Sequence, residues 1–173
     1  MWLINKLFGN RKKQESVSIS IPQERLAILE AADREGAKSL MVINQALKER
    51  RNDTDLKQIF GYYCSIIFDY ADVDDDLWPT QDEFTIMQDY VETFDKELKE
   101  HSEHPNALFV ARVTHKGTCQ MIWMLHNAQT AVEYLDRVIA KGDEVRCFEY
   151  NIKGDPEWRS IEWFLQDFPT KRK

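Results

Sequence analysis

The order of strand-like and helix-like segments from residue 62 onward is the feature that most limits the folds open to this chain. Tyr62–Tyr70 is a β-branched and aromatic run that is too short for a helix. Apolar residues then recur at intervals of three and four from Phe84 to Leu98, which predicts a helix with one buried stripe. Leu108–Thr114 and Thr118–Leu125 predict two strands joined by a short turn that contains Gly117.

A second helix, a further strand and a closing helix complete this order. Asn127 is a favourable N-cap for a helix that ends before Gly142, and Val145–Ile152 and Glu157–Asp167 predict a strand and a helix after it. Strand, helix, strand, strand, helix, strand is the order of the ferredoxin-like split βαβ arrangement. We therefore expect an α+β fold: an antiparallel sheet with helices on one face, an N-terminal extension and a C-terminal helix.

The amino terminus differs in character from the rest of the chain. Residues 1–15 combine the apolar start MWLINKLF with basic residues, and we interpret them as an arm before a single domain, residues 16–173, with its core in 61–168. The apolar start is too short for an export signal, and no run approaches the roughly 18 apolar residues of a membrane span. We expect a cytoplasmic protein, and contact of residues 1–13 with a membrane surface is the alternative.

Residues 16–55 leave one choice open. Ser16–Ile21 alternates and predicts a strand, whereas Arg50–Asp55 is typical of a polar connection. Leu26–Ala32 lies in a run of strong helix formers, so its propensity favours a helix. The same segment would also serve as a strand paired with Leu40–Ile43, and the pattern does not choose between the two.

The strongest electrostatic feature is an acidic stretch in the middle of the chain. Thirteen acidic residues and two lysines lie between Asp69 and Glu103, a net charge of −11 in a chain whose total is −7. A surface of one sign steers a partner of the opposite sign, so we expect this loop and helix to bind a basic protein. An ordinary solvated acidic helix is the alternative. The predicted partner-binding residues are Asp72, Asp74, Asp75, Asp76, Asp82, Asp89, Glu92 and Asp95.

The same loop contains a partial calcium-binding pattern. Asp72, Asp74, Asp76 and Glu83 occupy positions 1, 3, 5 and 12 of a calcium loop. Position 6 is Leu77, where that loop requires glycine for its sharp turn, and the preceding segment is a predicted strand instead of a helix. We therefore predict no metal centre and keep these four residues as a weak calcium candidate.

No catalytic motif is evident, and we predict no catalytic residues and no cofactor. Phosphate-cradling, zinc-protease and nucleophile-elbow patterns are absent from the sequence, and the net charge argues against nucleic-acid binding. The alternative is a small-molecule-binding domain or small enzyme that uses His115 or Cys119 beside an aromatic pocket. The aromatic side chains that would line such a pocket are Trp123, Phe148, Tyr150, Trp158 and Trp163. The sequence leaves the oligomeric state open.

Three short motifs resemble the bacterial domain of unknown function 695 family. They are the strand, acidic loop and helix of Tyr62–Leu98, the hairpin that opens ARVTHKG at Ala111–Gly117, and the D-x-x-W element Asp155–Trp158 followed by Trp163-Phe164-Leu165. The resemblance covers roughly residues 36–166 and implies no established activity. Related proteins join this domain to one similar to the ribonuclease E inhibitor family, which implies a regulatory setting.

Overall fold

The computed structural model describes residues 20–100, 104–142 and 144–168. These ranges contain six strands, four α-helices and one 3-10 helix. The strands are β1 Leu26–Ala32, β2 Lys38–Asn44, β3 Tyr62–Asp69, β4 Ala107–His115, β5 Thr118–Leu125 and β6 Phe148–Gly154. The helices are α1 Gln45–Glu49, α2 Thr54–Ile59, α3 Gln81–Lys99, α4 Ala128–Lys141 and the 3-10 helix Arg159–Leu165.

The six strands form one open sheet in the order β1-β2-β4-β5-β3-β6, and every neighbouring pair is antiparallel. The predicted α+β class is therefore confirmed. β1 and β6 are the two edges, and β5 lies in the interior of the sheet. No helix in the described ranges is both long and apolar enough to cross a membrane.

Helices cover the sheet on both faces. On the long-helix face, α3 and α4 pack over a core that includes Phe68, Phe94 and Trp123. On the short-helix face, α1, α2 and the 3-10 helix pack over a second core that includes Leu56 and Trp158. Successive residues of a strand point to opposite faces, so β5 supplies both cores and is buried along almost its whole length.

The two long helices begin directly after a capping residue, and α4 also ends at one. The Thr80 hydroxyl accepts a hydrogen bond from the Glu83 amide at the start of α3, and Asn127 accepts from two amides at the start of α4. Gly142 ends α4 with φ 65°, the left-handed conformation favoured at that position. In the β4–β5 turn, Gly117 has φ 78°, as the predicted hairpin requires.

The amino-terminal half differs more from expectation. Leu26–Ala32 is a strand, because it pairs along its whole length with β2 and places Leu29 against the short-helix core. α1 and α2 were not predicted, because they are five and six residues long and too short for a periodic signal. Of the predicted strand Ser16–Ile21, residues 16–19 lie outside the described ranges, and Ser20 and Ile21 are not in a strand.

The carboxyl-terminal elements are shifted or altered from their predicted form. The last strand begins at Phe148, three residues later than predicted, and the closing helix is a 3-10 helix instead of an α-helix. The predicted arm, residues 1–15, lies outside the described ranges, so its separation from the domain stays a prediction.

Candidate functional site

The acidic loop before α3 is held in shape by its own side chains. The Asp72 carboxylate accepts a 2.8 Å hydrogen bond from the Thr80 hydroxyl, which joins the start of the loop to the first turn of α3. Asp74 accepts from the amides of Asp76 and Trp78 at 3.0 and 2.8 Å. Leu77 adopts φ 58°, so the loop makes a left-handed turn without the glycine that we expected such a turn to need.

Seven of the eight predicted partner-binding acids are exposed to solvent. Asp82, Asp89 and Glu92 lie on the outer side of α3, opposite its buried stripe, and no lysine or arginine of the described residues forms an ion pair with any of the seven. Asp75 and Asp76 line a cleft of about 330 Å³ together with Lys38 and Lys116. We call these seven residues the acidic surface: Asp72, Asp74, Asp75, Asp76, Asp82, Asp89 and Glu92.

Asp95 does not belong to the acidic surface. One of its carboxylate oxygens accepts a 2.8 Å hydrogen bond from the indole nitrogen of Trp123, and the other pairs with Lys99 at 2.6 Å. The Lys99 ammonium is shared with Glu24, also at 2.6 Å. Asp95 therefore fixes a buried tryptophan and is neutralised locally, and we assign it to the fold.

Glu83 is also part of the fold. Its side chain is 2% exposed and forms two hydrogen bonds with the Arg146 guanidinium, at 2.6 and 2.5 Å, and a third with the Ala71 amide at 2.8 Å. The guanidinium holds the pKa of the Glu83 carboxyl below its usual range. Thr80 and Glu83 have the spacing of a capping box, but only half of it forms: Thr80 caps the helix, and Glu83 does not reach back to the Thr80 amide.

These contacts bear on the weak calcium candidate. Glu83 would supply the position-12 ligand of a calcium loop, but both of its oxygens face Arg146. Asp72, Asp74 and Asp76 lie in the loop, where the Asp72 carboxylate accepts from Thr80 and the Asp74 carboxylate accepts from two loop amides. Within the described residues, no group of three or more histidine, cysteine, aspartate or glutamate side chains is placed to hold a metal ion.

The predicted aromatic residues do not come together around one cavity. Trp123 is fully buried in the core of the long-helix face, and Phe148 and Tyr150 pack against the same core. Trp158 lies on the other side of the sheet, in the short-helix core, and Trp163 is 48% exposed. The sheet itself therefore separates the two buried tryptophans.

His115 and Cys119 are not arranged for nucleophilic catalysis. Burial raises the pKa of the Cys119 thiol to about 11, which disfavours the reactive thiolate. His115 has a hydroxyl partner that the sequence did not indicate: its Nδ1 lies 2.8 Å from the Ser39 Oγ. The same Nδ1 lies 3.1 Å from the Lys38 carbonyl, so the hydroxyl and the carbonyl compete for one ring nitrogen, and Nε2 lies 3.7 Å from the Asp33 carboxylate.

The D-x-x-W element shapes the end of the domain. Both carboxylate oxygens of Asp155 accept backbone amide hydrogen bonds, from Arg159 at 2.9 Å and Ser160 at 2.8 Å, which caps the 3-10 helix. Trp158 is 1% exposed, and its indole nitrogen donates to the Phe60 carbonyl at 2.8 Å. This motif therefore has a structural role, in joining the closing helix to the turn before β3.

A cleft on the short-helix face was not predicted. Its volume is about 640 Å³, and it is lined by Arg51, Lys57 and Arg159 together with Glu157, Glu162 and Trp158. The cationic residues come from two segments more than a hundred positions apart, so no local sequence signal joins them.

A six-stranded antiparallel sheet, covered by long helices on one face and short ones on the other, defines an α+β domain with an acidic loop and helix. The chain belongs to the family of unknown function DUF695, whose model matches residues 25–166. The resemblance stated above is thereby confirmed, and the match begins earlier than the motifs indicated, so that it includes β1. No curated protein and no solved structure matches the chain.

Proposed function

We propose that this protein is a non-enzymatic interaction or regulatory domain that binds a basic protein through the acidic surface. The observation that carries the proposal is the exposure of seven carboxylates in one loop and the helix after it, none with an ion-pair partner among the described residues. Asp89 and Glu92 are three positions apart on a helix, a spacing at which like charges repel by a few tenths of a kcal/mol. A basic partner would remove that repulsion.

The spacing of the helical acids suits a partner that spans several turns. Asp82 and Asp89 are two turns apart on the same side of α3, about 10 Å along the axis. That separation is close to the Debye length of about 10 Å at 0.1 M salt. Binding should therefore weaken strongly as the salt concentration rises. Several exposed ion pairs with the partner would contribute together, and salt screens each of them.

The test is a charge reversal that leaves the fold intact. In the full chain, Asp82→Lys, Asp89→Lys and Glu92→Lys are combined, and Asp95 is left unchanged because it bonds Trp123. The control combines Asp55→Lys, Glu133→Lys and Glu149→Lys, exposed acids that lie outside both the acidic surface and the cleft on the short-helix face. Basic proteins captured by the wild type and by the control are identified by mass spectrometry, purified and titrated against all three proteins.

The expected result is a dissociation constant at least about tenfold higher for the reversed variant, with wild-type and control binding both weakened by salt. Circular dichroism and the urea midpoint verify that both variants are folded. If the reversed variant keeps the same partners at the same affinities, the acidic surface is not a docking site.

The cleft on the short-helix face favours ligand binding as a second candidate function. Arg51 and Arg159 have no ion-pair partner among the described residues, and Lys57 lies 5.9 Å from the centre of the Trp158 ring. A small organic anion suits that lining, because the two guanidinium groups can donate hydrogen bonds to it. A thermal-shift screen of anionic metabolites separates the two functions, because a ligand that binds only the native state raises the melting temperature.

Two finer assignments belong with this proposal. The order β4-β5-β3-β6 and the position of α3 and α4 on one face support a ferredoxin-like unit extended by β1 and β2. A cytoplasmic location is supported by the three cysteines, all of which are free.

A further inference from the structure

The long-helix face has a part that no described helix covers. α3 packs over β4 and α4 over β6, whereas β1 and β2 continue the sheet beyond α3. On β1, Leu26 is 54% exposed and Ile28 is 70% exposed, although both side chains are large and apolar. Ile28 pairs with Val42 of β2, which packs at the margin of the long-helix core. We call the central part of the long-helix side of these two strands the uncovered strip: Leu26, Ile28, Glu30, Leu40 and Val42.

The dimensions of the uncovered strip match one α-helix. Two strands at a spacing of about 4.8 Å are about 10 Å wide, and a helix with its side chains is about 10–12 Å in diameter. β1 has seven residues, and at about 3.3 Å each this length accommodates about 15 residues of helix. A helix laid beside α3 would therefore extend the helical layer across the last two strands.

A groove between the uncovered strip and α3 determines which side chains a helix at this position would contact. The groove has a volume of about 180 Å³, and its floor is apolar. Acidic side chains stand around it: Glu24 before β1, and Glu92 and Asp95 on α3. The floor consists of Leu26, Val42, Val91, Phe109 and Met121.

The cations near the groove are already engaged. Lys99 is held between Asp95 and Glu24, and the Arg112 guanidinium donates to the Gln88 side chain and lies over the Phe84 ring. When the strip is included, Lys38 adds a third cation at the far end of β2 and Glu30 adds a fourth acid, so the acids still outnumber the cations. An occupant with lysines or arginines beside an apolar stripe would complement both properties.

We propose that the uncovered strip and its groove bind one amphipathic helix of the basic partner. The apolar stripe of that helix packs on Leu26, Ile28 and Val42, and its lysines or arginines face Glu24, Glu92 and Glu30. This inference rests on the proposed function and adds an apolar anchor beside the acidic surface. A second copy of the chain would fit poorly, because docking two such faces brings the same acids together.

The test uses three synthetic peptides of 18 residues with the full-length protein. The first has leucines at helical spacing with lysine on the other faces, the second has glutamate in place of lysine, and the third has glutamine in place of leucine. Fluorescence anisotropy measures their binding to the wild type, to Ile28→Glu and to Ile139→Glu. Ile139 is a matched control, since it is 45% exposed on α4, away from the groove.

Only the leucine–lysine peptide should bind the wild type, and Ile28→Glu should weaken it at least about tenfold while Ile139→Glu leaves it unchanged. Ile28→Glu adds negative charge, so a purely electrostatic interaction would be strengthened. The substitution should be tolerated by the fold, because the side chain is 70% exposed. Equal binding of the glutamine–lysine peptide, or an unaffected Ile28→Glu variant, would overturn the inference.

The outcomes separate this inference from the proposed function. If reversal of the acidic surface abolishes partner binding and Ile28→Glu does not, the acidic surface stands and the groove does not contribute. If sedimentation shows a wild-type dimer that Ile28→Glu dissociates, a second copy is the occupant and the inference is wrong. It is also wrong if the peptide binds only after the apolar residues among 2–8 are replaced by serine, because the chain's own segment then competes for the groove.

Discussion

The buried ion pair between Glu83 and Arg146 should be the electrostatic contact on which this fold depends most. Arg146→Met removes the guanidinium and leaves the Glu83 carboxylate, 2% exposed, with only the Ala71 amide as its partner. Breaking a buried pair by removing one partner costs about 3–5 kcal/mol. The Arg146 side chain is 18% exposed and one hydrogen bond to Glu83 remains, so we expect about 3 kcal/mol, at the low end of that range.

The measurement is urea unfolding followed by tryptophan fluorescence, with Arg25→Met as the control. Arg25 and Glu49 also form an ion pair, at 2.5 Å, but their side chains are 55% and 62% exposed, so that loss should be below about 1 kcal/mol. A cycle with Glu83→Gln should give a coupling energy of about 2 kcal/mol between the two positions. If Arg146→Met lowers the free energy of unfolding by no more than Arg25→Met does, burial does not make the Glu83–Arg146 pair more stabilising than an exposed one.

The pH dependence of the same variant supplies an independent check. The pKa of Glu83 is lowered in the folded state, so its contribution to stability is complete above the unfolded pKa of about 4.3 and is lost as the pH falls through the folded value. In Arg146→Met the buried Glu83 carboxyl loses its cation and its pKa rises. Protonation of this carboxyl therefore restores part of the lost stability. The stability difference between wild type and Arg146→Met should therefore shrink as the pH falls from 7 toward 3.

Single hydrogen bonds and buried thiols elsewhere in the fold should have measurable effects of their own. Asp155→Ala should cost about 1–2 kcal/mol in urea unfolding, because two amides at the start of the 3-10 helix lose their cap. In the folded protein a thiol reagent should modify Cys147, which is exposed, and spare the cysteines of β3 and β5, whose burial raises their pKa to about 12 and about 11. Urea should release all three, and equal native rates would contradict the burial. Asp95→Ala should cost about 1–3 kcal/mol because the Trp123 indole loses its acceptor, whereas Asp89→Ala should change stability by less than about 0.5 kcal/mol.

Elements with a long local signal could be predicted from the sequence, and their boundaries nearly so. α3 and α4 each combine an apolar stripe with a capping residue, Thr80 or Asn127, and both begin at the residue after it. The β4–β5 hairpin was predictable because its turn is short and contains Gly117. In each case the residues that define the element lie within about 20 consecutive positions, so a local sequence pattern is enough to predict it.

The misses have physical causes that local patterns do not carry. Leu26–Ala32 consists of good helix formers, yet pairing with β2 overrides that propensity. α1 and α2 are stabilised by the caps Asn44 and Asp53 and by burial of Leu47 and Leu56, not by a periodic stripe. The partner of Glu83 is 63 positions away, so no spacing rule could have named it.

The assignment of individual acids to the fold or to the surface was, however, within reach of the sequence. Glu83 precedes Met87 by four positions, and Met87 belongs to the buried stripe of α3, so helical geometry already turns Glu83 toward the core. An acid in that direction needs a cation or hydrogen-bond donors inside the protein. The same reasoning applies to Asp95, four positions after buried Val91, and it leaves Asp89 and Glu92 outside.

Helical phase therefore decides what a charge-reversal experiment on this helix measures. A lysine at position 95 would face Lys99 and the Trp123 indole, so any loss of binding would include damage to the fold. A lysine at 82, 89 or 92 replaces an exposed side chain with no described ion pair, so a loss of binding there reports on the surface. The net charge of the stretch gives the number of acidic residues, but the position of each residue around the helix determines whether a partner can contact it.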